Sequence, residues 1–296
     1  MGFRLRSDEG FLIEEHPEGR TLVVTGDWSD RAAKVLRSGK ADGLTLNYAR
    51  GYRERSLDFL QEWPLRRLMV LARTIKDVEP LYRLAATLEH LSLTTAPTAI
   101  LDCARLPNLH ELWVENWQQL RDSLSAAPGL RRLGIYGYGE TDLLALTDNT
   151  ALQSIRLKQA PRLERLLGIE GMSDLADVLV AGAHKLHDLA SLPSAATSLA
   201  TLLINTCGGV TAIDDIAALR NLSTLSVANC GNIDSLHPIA GLTELTGLYL
   251  YESTRIVDGD LEPLLGLRNL RDLRMKNRKH YKPAVIEVKG RLGLTE

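Results

Sequence analysis

The chain has 296 residues, 45% of them hydrophobic and 24% charged, with a formal net charge of −2. That balance supports a continuous apolar core and gives no bulk electrostatic pull toward nucleic acid or acidic membranes. The opening stretch MGFRLRSDEGFLIEEHPEGR is broken by acids and reads as neither a signal peptide nor a membrane span.

Residues 1–18 read as an N-terminal cap, a hairpin of FRLR and FLIEE. The chain then repeats itself over residues 19–282. The pattern Leu-x-x-Leu-x-Leu, with Ile, Val or Met as substitutes, begins at Leu65, Leu88, Leu109, Leu130, Leu152, Leu175, Leu199, Leu222, Leu245 and Leu270. Successive copies start 21 to 25 residues apart. A period in this range predicts one short strand per turn of a solenoid. Aligning the third apolar position adds two degenerate units, at Val24 and Leu46, and brings the series to about twelve.

Between strands the chain must return. The return between Gly26 and Gly43 contains SDRAAKVLRSGK, where Ser29 or Asp30 as N-cap and Gly39 as stop predict a helix. Later returns carry apolar residues three apart: Ile213, Ile216 and Leu219; Ile233, Leu236 and Ile239; Leu261, Leu264 and Leu267. This spacing suits short helices or 3₁₀ turns, shortened by Pro238 and Pro263. Residues 283–296, with Val285, Ile286 and Val288 among Glu287 and Lys289, read as a closing strand. Each unit would bury its apolar edge against its neighbours, so a single elongated domain is expected.

These units resemble leucine-rich repeats. The stretch NIDSLHPIAGLTELTGLYL, residues 232–250, is similar to the repeats of internalins and of the leucine-rich regulatory subunit of protein phosphatase 1. The resemblance covers roughly residues 20–280. It implies an α/β fold: a right-handed superhelix or horseshoe solenoid with a concave parallel β-sheet and convex short helices or 3₁₀ turns. It also implies protein or peptide ligands on the concave face. The Asn that usually ends each strand motif is mostly replaced, by Ala96, Ala160, Ala183, Cys207, Cys230 or Ser253. Secreted members often have disulfide-bonded caps, whereas Cys103, Cys207 and Cys230 lie away from both ends here. A reducing, cytoplasmic compartment is therefore expected, and the internalin role in host-cell adhesion does not carry over. The abundance of Ala, Arg, Gly and Leu points to a bacterial source.

Strand alternation sends positions 4 and 6 of each unit inward and positions 3, 5 and 7 outward. Equivalent positions in successive units stack about 5 Å apart, so outward residues form columns. Two groups stand out. The first is Glu111, Trp113, Glu115, Arg132, Gly134, Tyr136, Arg156 and Lys158. Gly134, beside Trp113, would leave a notch, and a Trp ringed by Arg and Tyr has the composition of a binding hot spot. Without a partner, Glu111 would neutralise Arg132 and Glu115 would neutralise Lys158, with Trp113 lying flat. The second group is Tyr249, Tyr251, Arg274 and Lys276, where each Tyr abuts a cation of the next unit. Trp117 and Tyr138 occupy position 9, open to either the core or the rim.

Other candidates have bland readings. His184 and His187 would share one face of a helix, as metal ligands can, but lack an evident third ligand. Cys207 and Cys230 occupy equivalent positions and read as reduced structural thiols, with a redox pair as the alternative. The run from Lys276 to Lys282 reads as a solvated cap rather than a nucleic-acid site. The glycines of GIYGYGE lack dinucleotide or P-loop spacing. The expectation is a non-enzymatic module binding a protein or peptide, as a scaffold, inhibitor or immunity-type protein, without a cofactor. A glycan or small-ligand receptor on the aromatic patches, and a metal-dependent hydrolase using His184 and His187, are the competing readings.

Overall fold

The computed structural model describes residues 3–6, 11–17, 19–120 and 123–294. They fall into two compact units, divided between Ile135 and Tyr136. No helix among the described residues is long and apolar enough to cross a membrane.

The first unit opens with β1 (Phe3–Arg6), β2 (Phe11–His16) and β3 (Gly19–Val24). Both pairs are antiparallel, β1 on β2 and β2 on β3. The direction then changes. β4 (Gly43–Asn47), β5 (Arg67–Leu71), β6 (His90–Thr94), β7 (Glu111–Val114) and β8 (Arg132–Tyr136) follow β3 in parallel. Their register is the register of the repeat: Val24, Leu46, Val70, Leu93, Val114 and Ile135 stand in one row. The row of Leu22, Leu44, Leu68, Leu91, Leu112 and Leu133 is buried as well. Each such leucine contributes about 1.5–3 kcal/mol by leaving water. A parallel strand pair needs a crossover, and the first of these is α1 (Asp30–Arg37). Ser29 Oγ caps it by accepting from Ala32 N at 3.2 Å. Ala32, Ala33 and Leu36 turn inward, and Gly39 at φ +67° ends the segment.

The second unit stacks β9 (Ser154–Lys158), β10 (Asp177–Ala181), β11 (Thr201–Asn205), β12 (Thr224–Ala228), β14 (Gly247–Leu250) and β16 (Asp272–Met275) in parallel. Two short strands in the returns, β13 (Asn232–Ile233) and β15 (Arg255–Ile256), pair with each other. The returns run through 3₁₀ turns at Asp214–Ala218, His237–Ile239 and Glu262–Gly266. The nine apolar residues expected to face inward from these returns are all buried.

Two expectations need correction. The closing segment is a helix, α2 (Val285–Leu292), not a strand. Val285 and Val288, three apart, face the core, while Ile286 is 63% exposed. Glu287 Oε2 accepts from Ala284 N at 3.1 Å, and Gly293 ends the helix in the left-handed region. Helical spacing and terminal capping outweigh the β-branched composition. The other correction concerns position 9 near Ser253, which is exposed. Thr254 takes the inward place, its hydroxyl donating to Val227 O at 2.7 Å and accepting from Cys230 N at 3.1 Å.

Candidate functional site

The outward columns of the first unit enclose a cleft of about 550 Å³. Its floor is the position-5 row of four successive strands: Val23, Thr45, Met69 and Ser92. Glu14 and His16 on β2 line one end and Trp113 on β7 the other. The row at position 3 supplies Thr21, Arg67, His90 and Glu111, and the far ends of the strands supply Asn47 and Arg50. Met69 is 46% exposed on this floor, unusual for so apolar a side chain.

Trp113 is held rather than loose. Its Nε1–H donates to Glu111 Oε1 at 2.6 Å. The ring lies over Gly134, so that a Cβ there would fall among the indole carbons. The expected notch is therefore filled by the neighbouring ring: an aromatic needs a flat seat, and glycine provides one. The other Glu111 oxygen receives Arg132 Nη1 at 3.0 Å and lies 3.2 Å from His90 Nδ1. Burial pushes the Glu111 carboxyl up, but hydrogen bonds with Trp113, His90 and Arg132 outweigh it and carry the pKa below the ordinary carboxylate value. Arg67 is likewise committed, donating to Asp42 Oδ1 at 2.7 Å. Its approach passes so close to Gly19 that a side chain there would collide with it.

Glu115 has a partner within its own unit. It takes the guanidinium of Arg73, with Nε at 2.9 Å from Oε2. Arg73 leaves the strand end of β5 and reaches past β6, so the nearest cation is a rim residue that the outward columns never contained.

The remaining residues of the first group belong to the second unit. Arg156 Nη2 donates to Asp177 Oδ2 at 2.8 Å, and Tyr136 and Lys158 are exposed. In the second group, Tyr249 Oη donates to Asp272 Oδ2 at 3.1 Å. Arg274 lies 5.5 Å from the Tyr249 ring centroid while also pairing with Asp272. Lys276 turns to Glu252 at 3.5 Å, and Tyr251 is exposed. This cluster is mostly self-satisfied.

Trp117 and Tyr138 both face the core, 1% and 0% exposed. Tyr138 Oη donates to Asp142 O at 2.7 Å, which resolves the position-9 question in favour of burial. His184 and His187 are not on a helix, and His187 Nδ1 lies against Lys185 O at 2.8 Å. Among the described residues no three His, Cys, Asp or Glu side chains converge on a common point. Cys103, Cys207 and Cys230 are buried and unpaired with one another. Burial pushes the Cys103 thiol up to about 11 and the Cys207 thiol up to about 12. The basic run folds back as a cap: Arg278 Nη2 donates to Thr254 O at 3.1 Å, and Tyr281 Oη accepts from Ile256 N at 3.0 Å.

Sequence reasoning ranked the charged and aromatic residues first and passed over Met69, Val23, Thr45, Ser92 and Arg50. The available signal was the position-5 column itself, where small and apolar residues run unbroken up to Trp113.

Neither a family model nor a curated protein matches this chain. Among solved structures, a leucine-rich-repeat protein of Leptospira interrogans is similar with a TM-score of 0.59 and 16% identity, over 86% of this chain and 65% of that one. The chain thus spans less than two thirds of that protein's length. An internalin C2 of Listeria monocytogenes aligns at a TM-score of 0.43 and 21% identity, over 67% of this chain and 78% of that one. A second internalin of the same species, inlF, aligns at 0.37 and 18%, over 72% and 81%. The fold is that of leucine-rich-repeat proteins.

Proposed function

We propose that this chain is a non-enzymatic module that binds a protein or peptide on the open sheet face of its first unit. The observation that carries this reading is the cleft between β2 and β7, with Met69 exposed on its floor and Trp113 fixed at its wall. An exposed apolar residue beside an immobilised indole offers contact area at little ordering cost. Arg67 and Glu111 are already neutralised within the unit. The central cleft therefore favours an apolar anchor over a charged one. The role is that of a scaffold, inhibitor or immunity-type partner, and the three unpaired thiols favour a reducing, cytoplasmic setting.

Affinity capture from native lysate tests the reading. Met69→Arg and Trp113→Ala should release a partner that wild type and Tyr251→Ala both retain. A partner held equally by all four proteins would place binding elsewhere.

A further inference from the structure

We infer that the segment bound by the first unit carries an acidic stretch of Asp or Glu, read by Arg50 and Arg55 beyond the ends of β4 and β5. This inference rests on the peptide-binding reading and adds the chemistry of the partner.

A second hollow, of about 440 Å³, lies beside the cleft's far rim. The two share the 3₁₀ turn Tyr48–Arg50: Arg50 lines the cleft and Tyr48 lines the hollow. Arg53, Arg55 and Arg73 line the hollow, and no acid does. Most other charges here are committed. Arg73 is taken by Glu115, and Arg53 Nη1 donates to Tyr48 O at 2.9 Å. The side chains of Arg50 and Arg55 are exposed and hold no hydrogen bond or ion pair among the described residues. Glu54 is the one acid of residues 48–55; burial first, and its charge second, oppose the ionisation of Tyr52. The charge left unmatched at this rim is positive, although the chain as a whole is acidic by two charges.

The arginines also stand on a built support. Asn47 Oδ1 accepts from Ala49 N at 2.8 Å and caps the turn. Gly51 sits at φ +105°, where a Cβ would lie 2.6 Å from Thr25 O, so the chain approaches β3 as only glycine allows. Tyr52 is 1% exposed, donates to Ser56 O at 3.3 Å and meets Phe59 edge-on. A buried peg thus holds the three arginines of YARGYRER around it. Cations on a pinned turn lose little entropy when they meet carboxylates. A peptide with an apolar residue over Met69 and acids running out past Asn47 would match both the cleft and its rim.

The test is selection of a random twelve-residue phage-displayed peptide library on the purified protein. Selected sequences are then synthesised with fluorescein and measured by fluorescence anisotropy. Enrichment of Asp and Glu, with about tenfold or greater weakening by Arg50→Glu/Arg55→Glu and by high salt, supports the inference. Both positions are exposed, so an unchanged melting temperature verifies that the variant folds. Peptides without acidic bias, bound equally by the charge-reversed protein, overturn the inference and leave the cleft reading intact. Acidic peptides lost on charge reversal but kept by Met69→Arg support the arginine rim and overturn the cleft. No enrichment overturns both. A dodecathymidylate that binds as tightly as the peptides overturns selectivity for acidic peptide.

Discussion

Replacing Gly134 by alanine would drive a methyl group into the indole of Trp113. The ring must then leave the sheet, and two losses follow. Overpacking of a tight contact costs about 1–3 kcal/mol. The hydrogen bond from Trp113 to the charged Glu111, 2.6 Å long, contributes about 1.5–3 kcal/mol. The ring is only partly buried and the two losses overlap, which puts the expected cost at about 2–3 kcal/mol. In a Trp113→Ala background neither loss is available. Alanine is then favoured over glycine within a strand by about 0.5–1 kcal/mol, so the same substitution should be neutral or slightly stabilising. The double-mutant cycle should therefore show a coupling of about 3 kcal/mol. Urea denaturation of the four proteins, followed by circular dichroism, measures it. An equal cost of Gly134→Ala in both backgrounds would show that the ring does not rest on this glycine, and the fixed wall of the cleft would fall with it.

Three further outcomes follow from the same geometry. Because its folded pKa is lowered, Glu111 stabilises the fold fully above its unfolded pKa of about 4.3, and that stabilisation is lost as pH falls through the lower folded value. Wild type should therefore exceed Glu111→Gln in stability at pH 7, with the gap closing on acidification; a gap independent of pH in urea titrations would contradict this. Thr206 sits at φ +56°, costly for a β-branched residue. Thr206→Gly should raise stability by about 1 kcal/mol in thermal or urea unfolding, and any loss would argue against strain there. Cys207, with its thiol pushed up to about 12 mainly by burial, should resist iodoacetamide at pH 8 until denaturant is added. Mass spectrometry finding full labelling of the native protein would refute its burial.

The fold was legible because its signal is repeated. A single Leu-x-x-Leu-x-Leu is weak, but copies in phase from Val24 to Met275 fix strand position, register and the inward face together. The site was less legible because outward positions obey no such constraint. Composition identified Trp113 but not whether it stands free, and its seat on Gly134 is a packing fact. Opposite charges on adjacent units of one column predicted Glu111 with Arg132 correctly. The columns did not foretell the partner of Glu115, because Arg73 reaches it from outside them. The terminal helix was misread because Val285, Ile286 and Val288 fit either period over so short a span. The aromatic stack of Trp28 on Phe59, with ring centroids 4.1 Å apart, joins residues about thirty positions apart, with no shared motif to link them.

How each strand ends explains why the candidate surface has an elaborated rim. In the second unit position 8 is left-handed after strand upon strand: Gly137, Gln159, Gly182, Thr206, Asn229 and Glu252. One such residue turns the chain sharply enough to deliver position 9 into the core, as Tyr138, Ala160, Ala183, Cys207 and Cys230 show. Those strand ends turn inward at once, except after Glu252, where Ser253 stays exposed and Thr254 goes inward. The exit at Asn47 in the first unit is more gradual. Asn47 remains extended and caps a 3₁₀ turn through its side-chain oxygen. At Asn47 that extra turn carries Tyr48 and Arg50 past the strand end before the chain descends to bury Tyr52. The exit geometry thus decides whether a strand end hides its next residues or displays them. The same local choice that strains Thr206 in one unit is avoided at Asn47 in the other, and the longer path is what brings arginines to the edge of an apolar cleft.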